Sequence, residues 1–326
     1  MSDHLEGVGT VLCEIIFQVI TKLERKMDKN LLNNNVLNPH ALEPWGDSMK
    51  FGLSGLLFPH LDTEEVISSI GKLGADHAEL IFDLPNFTPD FSLNKLPKLR
   101  KLVDSYGLAI SIHGPIWDLN PISWHATVRG LALKYLKKSI DVCKALGGEI
   151  IVLHPGRCPF PHEERFLLSA QKRFLNFIKS SLRYARNQDV TLTLENFPMS
   201  TEFPYSSPQE MLPLVKEFED LRITFDVGHA FLNKTWQKLS SPEKRVAEEI
   251  KMVGECITNI HFHDNRGERD DHLPPGKGII NFTPIVKALK KIDYHGWVTI
   301  ELHKTGKDPM EMGRIGLEKT RELFRL

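Results

Sequence analysis

Eight short β-rich runs recur along the chain from residue 49 onward, and the last six of them each end on a histidine or a carboxylate. The runs are Lys50–Ser54, Ala78–Phe82, Leu108–His113, Glu149–His154, Val190–Glu195, Arg222–Asp226, Ile257–His261 and Trp297–Glu301. Their dense Val, Ile and Leu content suits strands of a parallel sheet covered on both faces. The segments between them carry helix signals. Asp62-Thr63-Glu64-Glu65 puts carboxylates at a helix N-terminus, and Ser207-Pro208 and Ser241-Pro242 put a cap before a first-turn proline. Gly71 and Gly74, Gly107, and Gly147-Gly148 stand where the first three helices should end. Eight strand–helix units in series predict a single closed (β/α)8 TIM barrel of the α/β class. A doubly wound open sheet would need a Gly-rich phosphate turn after its first strand, and Ser54-Gly55-Leu56-Leu57 is not one.

The chain has 326 residues, more than the roughly 250 such a barrel needs. The surplus lies in residues 1–48, which read as an N-terminal extension, helical or disordered. It holds a candidate amphipathic helix from about Leu5 to Met27, an Asn-rich linker over Asn30–Asn38, then Pro39 and Pro44. Residues 49–326 are the barrel. The apolar stretch Val11–Ile20 is too short to span a bilayer and is interrupted by Glu14 and Gln18. Asp3 and Glu6 precede it, so it lacks the basic start of a signal peptide. Cys13, Cys143, Cys158 and Cys256 show no paired spacing and read as thiols of a reducing, cytoplasmic compartment. The net charge of −1 gives no bulk basic character for a nucleic-acid partner.

In a barrel of this kind chemistry sits where strands end and βα-loops begin. His113, His154, Glu195, Asp226, His261 and Glu301 would therefore converge on one axis. Buried carboxylates there are costly unless paired or bound to metal, so the six together point to a shared metal site. His229, Asp270 and His272 in the following loops are further candidates. Gly228 would permit the sharp turn between Asp226 and His229, and Asp270 and His272 would share a side if their loop is extended. Mixed imidazole and carboxylate ligands suit Zn²⁺, Mn²⁺, Co²⁺ or Fe²⁺. Glu79 is a candidate pocket carboxylate, His263 and His303 can line the pocket without serving as ligands, and Cys158 reads as a packing thiol. His77 reads as a residue ahead of its strand.

The stretches His113-Gly114-Pro115, Leu153-His154-Pro155-Gly156, Leu194-Glu195-Asn196, Phe225-Asp226-Val227-Gly228-His229, Ile260-His261-Phe262-His263-Asp264-Asn265, Asp270-Asp271-His272 and Thr299-Ile300-Glu301, in this order, resemble the xylose-isomerase-like superfamily of sugar isomerases and epimerases, which also contains endonuclease IV (AP endonuclease family 2). The resemblance covers residues 49–326. On the endonuclease IV side it implies three zinc sites: His113, His154 and Glu195; Glu195, Asp226, His261 and Glu301; and His229, Asp270 and His272. On the isomerase side it implies only the second set, with Glu195 and Glu301 as acid/base pair and His229 and the Asp270/His272 loop near substrate.

The flanking residues favour the isomerase or epimerase branch, acting on a small sugar or sugar phosphate. His113-Gly114-Pro115-Ile116 stands where endonuclease IV has His-x-x-Tyr, and Asp226-Val227-Gly228-His229 stands where it has Asp-Thr-Cys-His. The alternative is a multi-zinc phosphodiesterase acting at abasic sites in DNA. Ile116 and Trp117 fit either a wall over a sugar or, loosely, DNA-penetrating residues. Trp117, His263, Arg266 and Lys277 are the expected substrate contacts, the two cations for a phosphate or hydroxyls.

Overall fold

The computed structural model describes residues 49–88, 91–198, 202–232, 241–303 and 308–325. All belong to one compact unit, Pro44–Leu326. The expected extension over residues 1–48 lies outside the described residues. Eight strands form in the predicted places: β1 Lys50–Ser54, β2 His77–Ile81, β3 Ala109–His113, β4 Ile150–Leu153, β5 Thr191–Glu195, β6 Leu221–Asp226, β7 Ile257–Phe262 and β8 Trp297–Ile300. Each pairs in parallel with its sequence neighbour, and β8 pairs with β1 through Phe51 and Val298 to close the barrel.

Around the barrel run α1 Thr63–Lys72, α2 Leu96–Tyr106, α3 Ala126–Ala145, α4 Glu164–Arg186, α5 Pro208–Glu217, the short α6 Val227–Phe231, α7 Pro242–Val253, α8 Thr283–Lys291 and α9 Pro309–Arg325. Local chemistry sets several of their ends. Asp62 and Glu65 form a reciprocal capping box on α1, as do Ser207 and Glu210 on α5. Ser241 precedes Pro242 as expected but makes no side-chain cap. Gly74, Gly107 and Gly147 follow α1, α2 and α3 at φ of 70°, 64° and 71°, the left-handed backbone that ends a helix cheaply only with glycine. No helix among the described residues is long and apolar enough to cross a membrane.

Strand alternation divides the side chains into two sets. Leu53, Leu80, Ile112, Leu194, Phe225 and Ile260 join the large apolar core with the helices. The barrel interior is layered instead. Trp297, Ile150 and Val152 form a small apolar cluster with Ala109. A buried polar layer holds Glu79, Ser111, Thr193, Thr224, Asn259 and Thr299, all fully buried: Glu79, Ser111, Asn259 and Thr299 form one hydrogen-bonded chain, and Thr193 and Thr224 pair through their hydroxyls at 2.7 Å. Two residues further along five of these strands come His113, Glu195, Asp226, His261 and Glu301. β6 and β7 shift register at Ile223 and Thr224, and Asp226 then sits opposite His261.

Candidate metal centre

His113, Glu195 and Asp226 are the last residues of β3, β5 and β6, and His261 is the penultimate residue of β7. His154 and Glu301 stand one residue past β4 and β8. Among the described residues, three groups have ligand atoms close enough to share an ion. They are His113, His154 and Glu195; Glu195, Asp226, His261 and Glu301; and His229, His263, Asp270 and His272, each set of atoms lying within 4.8 Å.

The second group is the most buried. Nδ1 of His261 lies 3.2 Å from Glu195 Oε1, 3.3 Å from Glu301 Oε2 and 3.7 Å from Asp226 Oδ2. Three carboxylates crowding one imidazole away from water need a positive counter-charge. Glu195 turns its other oxygen to the first group, with Oε2 3.2 Å from His113 Nε2 and 3.0 Å from His154 Nε2. In the third group Asp270 Oδ2 is 3.0 Å from His229 Nε2 and 2.9 Å from His272 Nε2.

The outer faces of the imidazoles supply a test of fit. Nδ1 of His113, His229 and His272 lies 3.0, 2.9 and 3.0 Å from the backbone oxygens of Gly114, Asn196 and Glu301. A carbonyl only accepts, so each Nδ1 carries a proton and each Nε2 is left to offer a lone pair to an ion. That is how metal-ligating histidines are oriented. The donor set fits Zn²⁺, Mn²⁺, Co²⁺ or Fe²⁺.

With protons as the only counter-charges the site is strongly polarised. Burial alone would depress His261, but the Glu79, Glu301 and Glu195 carboxylates outweigh it and hold His261 well above its ordinary value. His272 is raised to about 9 against its own burial, chiefly by Asp270. Glu195 is held well below the usual carboxylate range despite burial, by His261 and His154 first. His154 goes the other way, to about 4, because burial there outweighs the pull of Glu195.

Two expectations fail in their physical reason. Gly228 has no left-handed backbone. A Cβ there would sit 2.0 Å from Cε1 of His263, so close packing and not turn freedom requires the glycine. The Asp270/His272 loop is not extended: His272 has φ 47°, a left-handed kink that brings its ring back onto Asp270.

His263, expected near substrate, is fully buried. Its Nε2 lies 3.2 Å from both oxygens of Asp226, and its ring stacks on His272 at 4.0 Å, within the third group. His303 stacks on the other side of His272, at 3.9 Å. Arg266 is exposed and pairs with Asp271, and Lys277 is exposed on its loop. No contact of either with the three groups is found among the described residues. Trp117, 57% exposed, donates to Leu84 O at 2.8 Å and, with Ile116, His154, Arg157 and Phe203, lines a cavity of about 310 Å³ beside the first group. Cys158 is buried, as a packing thiol is.

Sequence reasoning missed the polar layer, although its signal was present. Ser111, Thr193, Thr224, Asn259 and Thr299 each stand two residues before a strand-end histidine or carboxylate, on the same face of the strand. His77 was missed too. It opens β2 and points into the barrel, with Nε2 2.9 Å from Thr299 Oγ1.

Fold and site together define a class, the closed parallel barrels that gather imidazoles and carboxylates at the C-terminal ends of their strands. Residues 68–323 match the xylose isomerase-like TIM barrel family. The chain belongs to that family. An uncharacterized protein of Methanocaldococcus jannaschii is 31% identical to it over 81% of this chain and 96% of its own length. Fructoselysine 3-epimerase of Shigella flexneri is 21% identical over 85% of this chain and 98% of its own. Among solved structures, a D-tagatose 3-epimerase-like protein is similar with a TM-score of 0.71 and 27% identity, over 85% of this chain and 98% of that one.

Proposed function

We propose that the protein is a divalent-metal-dependent isomerase or epimerase of a sugar or sugar phosphate. The observation that carries this reading is the pair of buried carboxylates, Glu195 and Glu301, converging within 3.2 and 3.3 Å on the same His261 nitrogen. Glu195, Asp226, His261 and Glu301 would hold the ion, which supplies polarisation of a neighbouring hydroxyl–carbonyl pair. One carboxylate then takes the proton from the carbon beside the carbonyl. The C–H electron pair becomes the C=C bond of an enediolate, and the carbonyl oxygen takes the charge. Return of a proton to the opposite face of that carbon gives the epimer; return to the neighbouring carbon gives the isomer. His113 and His154 hold Glu195 Oε2 from the far side, and His229 and the Asp270/His272 loop flank the substrate. The likeness to the D-tagatose 3-epimerase-like protein and to fructoselysine 3-epimerase supports a ketose or a ketose derivative as substrate. Cys143 and Cys158 are buried free thiols, which fits a reducing cytoplasm.

One observation favours a second reading. The nine candidate ligands do assemble, in three groups, with Glu195 shared by two of them. Three ions so placed would suit a phosphodiesterase acting at abasic sites in DNA. Elemental analysis of protein purified without added metal separates the two. About one ion per chain, with turnover of a ketose or its phosphate under Mn²⁺ or Co²⁺, is the outcome expected. About three ions per chain, with cleavage of a duplex carrying one abasic site and no action on any sugar, would overturn the proposal in favour of the second reading.

A further inference from the structure

Glu79 is a fully buried carboxylate that the proposed reaction does not use. It stands on β2, across the barrel from β7, and its Oε1 approaches Nε2 of His261 to 3.0 Å. The approach is not aligned as a hydrogen bond, and neither atom has a hydrogen-bond partner among the described residues. The opposite face of the same ring presents Nδ1 to Glu195, Asp226 and Glu301. His261 is thus the counterpart of His113, His229 and His272, with one difference. Their Nδ1 atoms each face a backbone carbonyl, those of His229 and His272 with a carboxylate of Glu195 or Glu301 also at 3.3 and 3.5 Å, whereas His261 turns its Nε2 outward to the Glu79 side chain.

Glu79 is itself anchored. Its Oε2 accepts from Ser111 Oγ at 3.1 Å and from Asn259 Nδ2 at 3.4 Å. Asn259 Oδ1 accepts from Thr299 Oγ1 at 3.0 Å. The Thr299 hydroxyl has then spent its proton, so it accepts from His77 Nε2 at 2.9 Å. Gly52 leaves room for the His77 ring, which a Cβ would meet at 2.4 Å. A fully buried carboxylate held by two hydrogen bonds is not free to swing away to solvent.

We infer that Glu79 is a positioning residue for the metal centre: its carboxylate accepts the Nε2–H of His261, so that the Nδ1 lone pair faces the ion. This rests on the proposed reading that His261 is a ligand. A carboxylate behind a ligating imidazole fixes the tautomer and makes the ring a stronger donor, and its loss typically weakens metal binding 10–100-fold. Gln at position 79 removes the charge. Its amide can also donate to Nε2, which would leave the proton on Nδ1, facing the ion.

The test is Zn²⁺ affinity, measured by competition with a chromogenic chelator, in wild type, Glu79→Gln and Asp226→Asn. Asp226→Asn reports on the centre itself. Glu79→Gln should bind Zn²⁺ about 10–100-fold more weakly than wild type, while its metal-free thermal transition stays cooperative. A wild type that binds Zn²⁺ tightly, lost in Asp226→Asn, beside a Glu79→Gln variant of equal affinity overturns the inference alone. A wild type that binds no Zn²⁺ overturns the proposed function and the inference with it. Should Glu79→Gln not fold, the tautomer is read in zinc-loaded wild type carrying ¹⁵N-histidine. A proton on Nε2 of His261 bears the inference out, and a proton on Nδ1 refutes it.

Discussion

Glu195 is the residue on which the site turns, since one of its oxygens faces His261 and the other faces His113 and His154. Gln is nearly isosteric, so Glu195→Gln should preserve the barrel while removing the charge that, under the proposed function, would hold a cation and the base that would take a proton. The expected result is a folded protein with weakened Zn²⁺ binding and turnover lowered roughly 10²–10⁴-fold. Zinc affinity and turnover equal to wild type would show that Glu195 serves only to hold the barrel mouth together. His113→Ala and His154→Ala divide the two readings more finely. If one ion is held by β5 to β8, each variant keeps that ion and loses activity modestly. If a cluster is present, elemental analysis will show that each variant also loses an ion. Residues such as these were legible in the sequence because each ends an apolar run. Glu79 was legible as a candidate pocket carboxylate but its approach to His261 was not, because the two lie 182 positions apart along the chain, as their residue numbers show.

The loops and helices carry what strand periodicity does not encode. His263 reads as a pocket residue from its place just past the end of its strand, but the β6–α6 junction draws its ring against Gly228 and onto Asp226. Gly228→Ala should therefore push His263 off Asp226 and lower Zn²⁺ affinity with little effect on helix content. Chelator competition and circular dichroism check this, and unaltered affinity would mean that His263 has no bearing on the centre. Helix α7 makes a separate point about stability. Glu249 faces the core, buried, with Oε2 lacking a hydrogen-bond partner among the described residues, and burial pushes its carboxyl up to about 8. Its folded pKa thus lies above the unfolded value of about 4.3, so between the two the folded state binds more protons than the unfolded state. Stability from this group is greatest below the unfolded value and falls as pH rises toward 8. Glu249→Gln should remove that fall. The melting-temperature difference, variant minus wild type, should be small at pH 5 and grow positive by pH 9. A difference that does not change with pH would contradict the burial argument.

For the molecule as a whole, closure of the barrel depends on β1, whose Lys50, Phe51, Gly52 and Leu53 pair with β8. Met49, just before it, is already buried. A chain beginning at Met49 should therefore fold with an unaltered melting temperature and keep its activity. A large drop in melting temperature would show that residues 1–48 support the barrel. The architecture was legible because eight strand–helix repeats admit few other closures, and the caps at Asp62 and Ser207 marked their boundaries. The interior layering was not, because it depends on which face each strand turns to the axis after closure. In the proposed reaction two carboxylates beside a divalent ion move a proton at a carbon next to a carbonyl. Solvent-exchange mass spectrometry tests it most directly, with wild type, Glu195→Gln and Glu301→Gln incubated in D₂O with Mn²⁺ and a panel of ketoses and their phosphates. Wild type should place one deuterium on the carbon adjacent to the carbonyl of at least one of them, only with metal present, and neither variant should do so. No deuterium in any sugar from metal-loaded wild type, alongside cleavage of an abasic duplex, would contradict the claim.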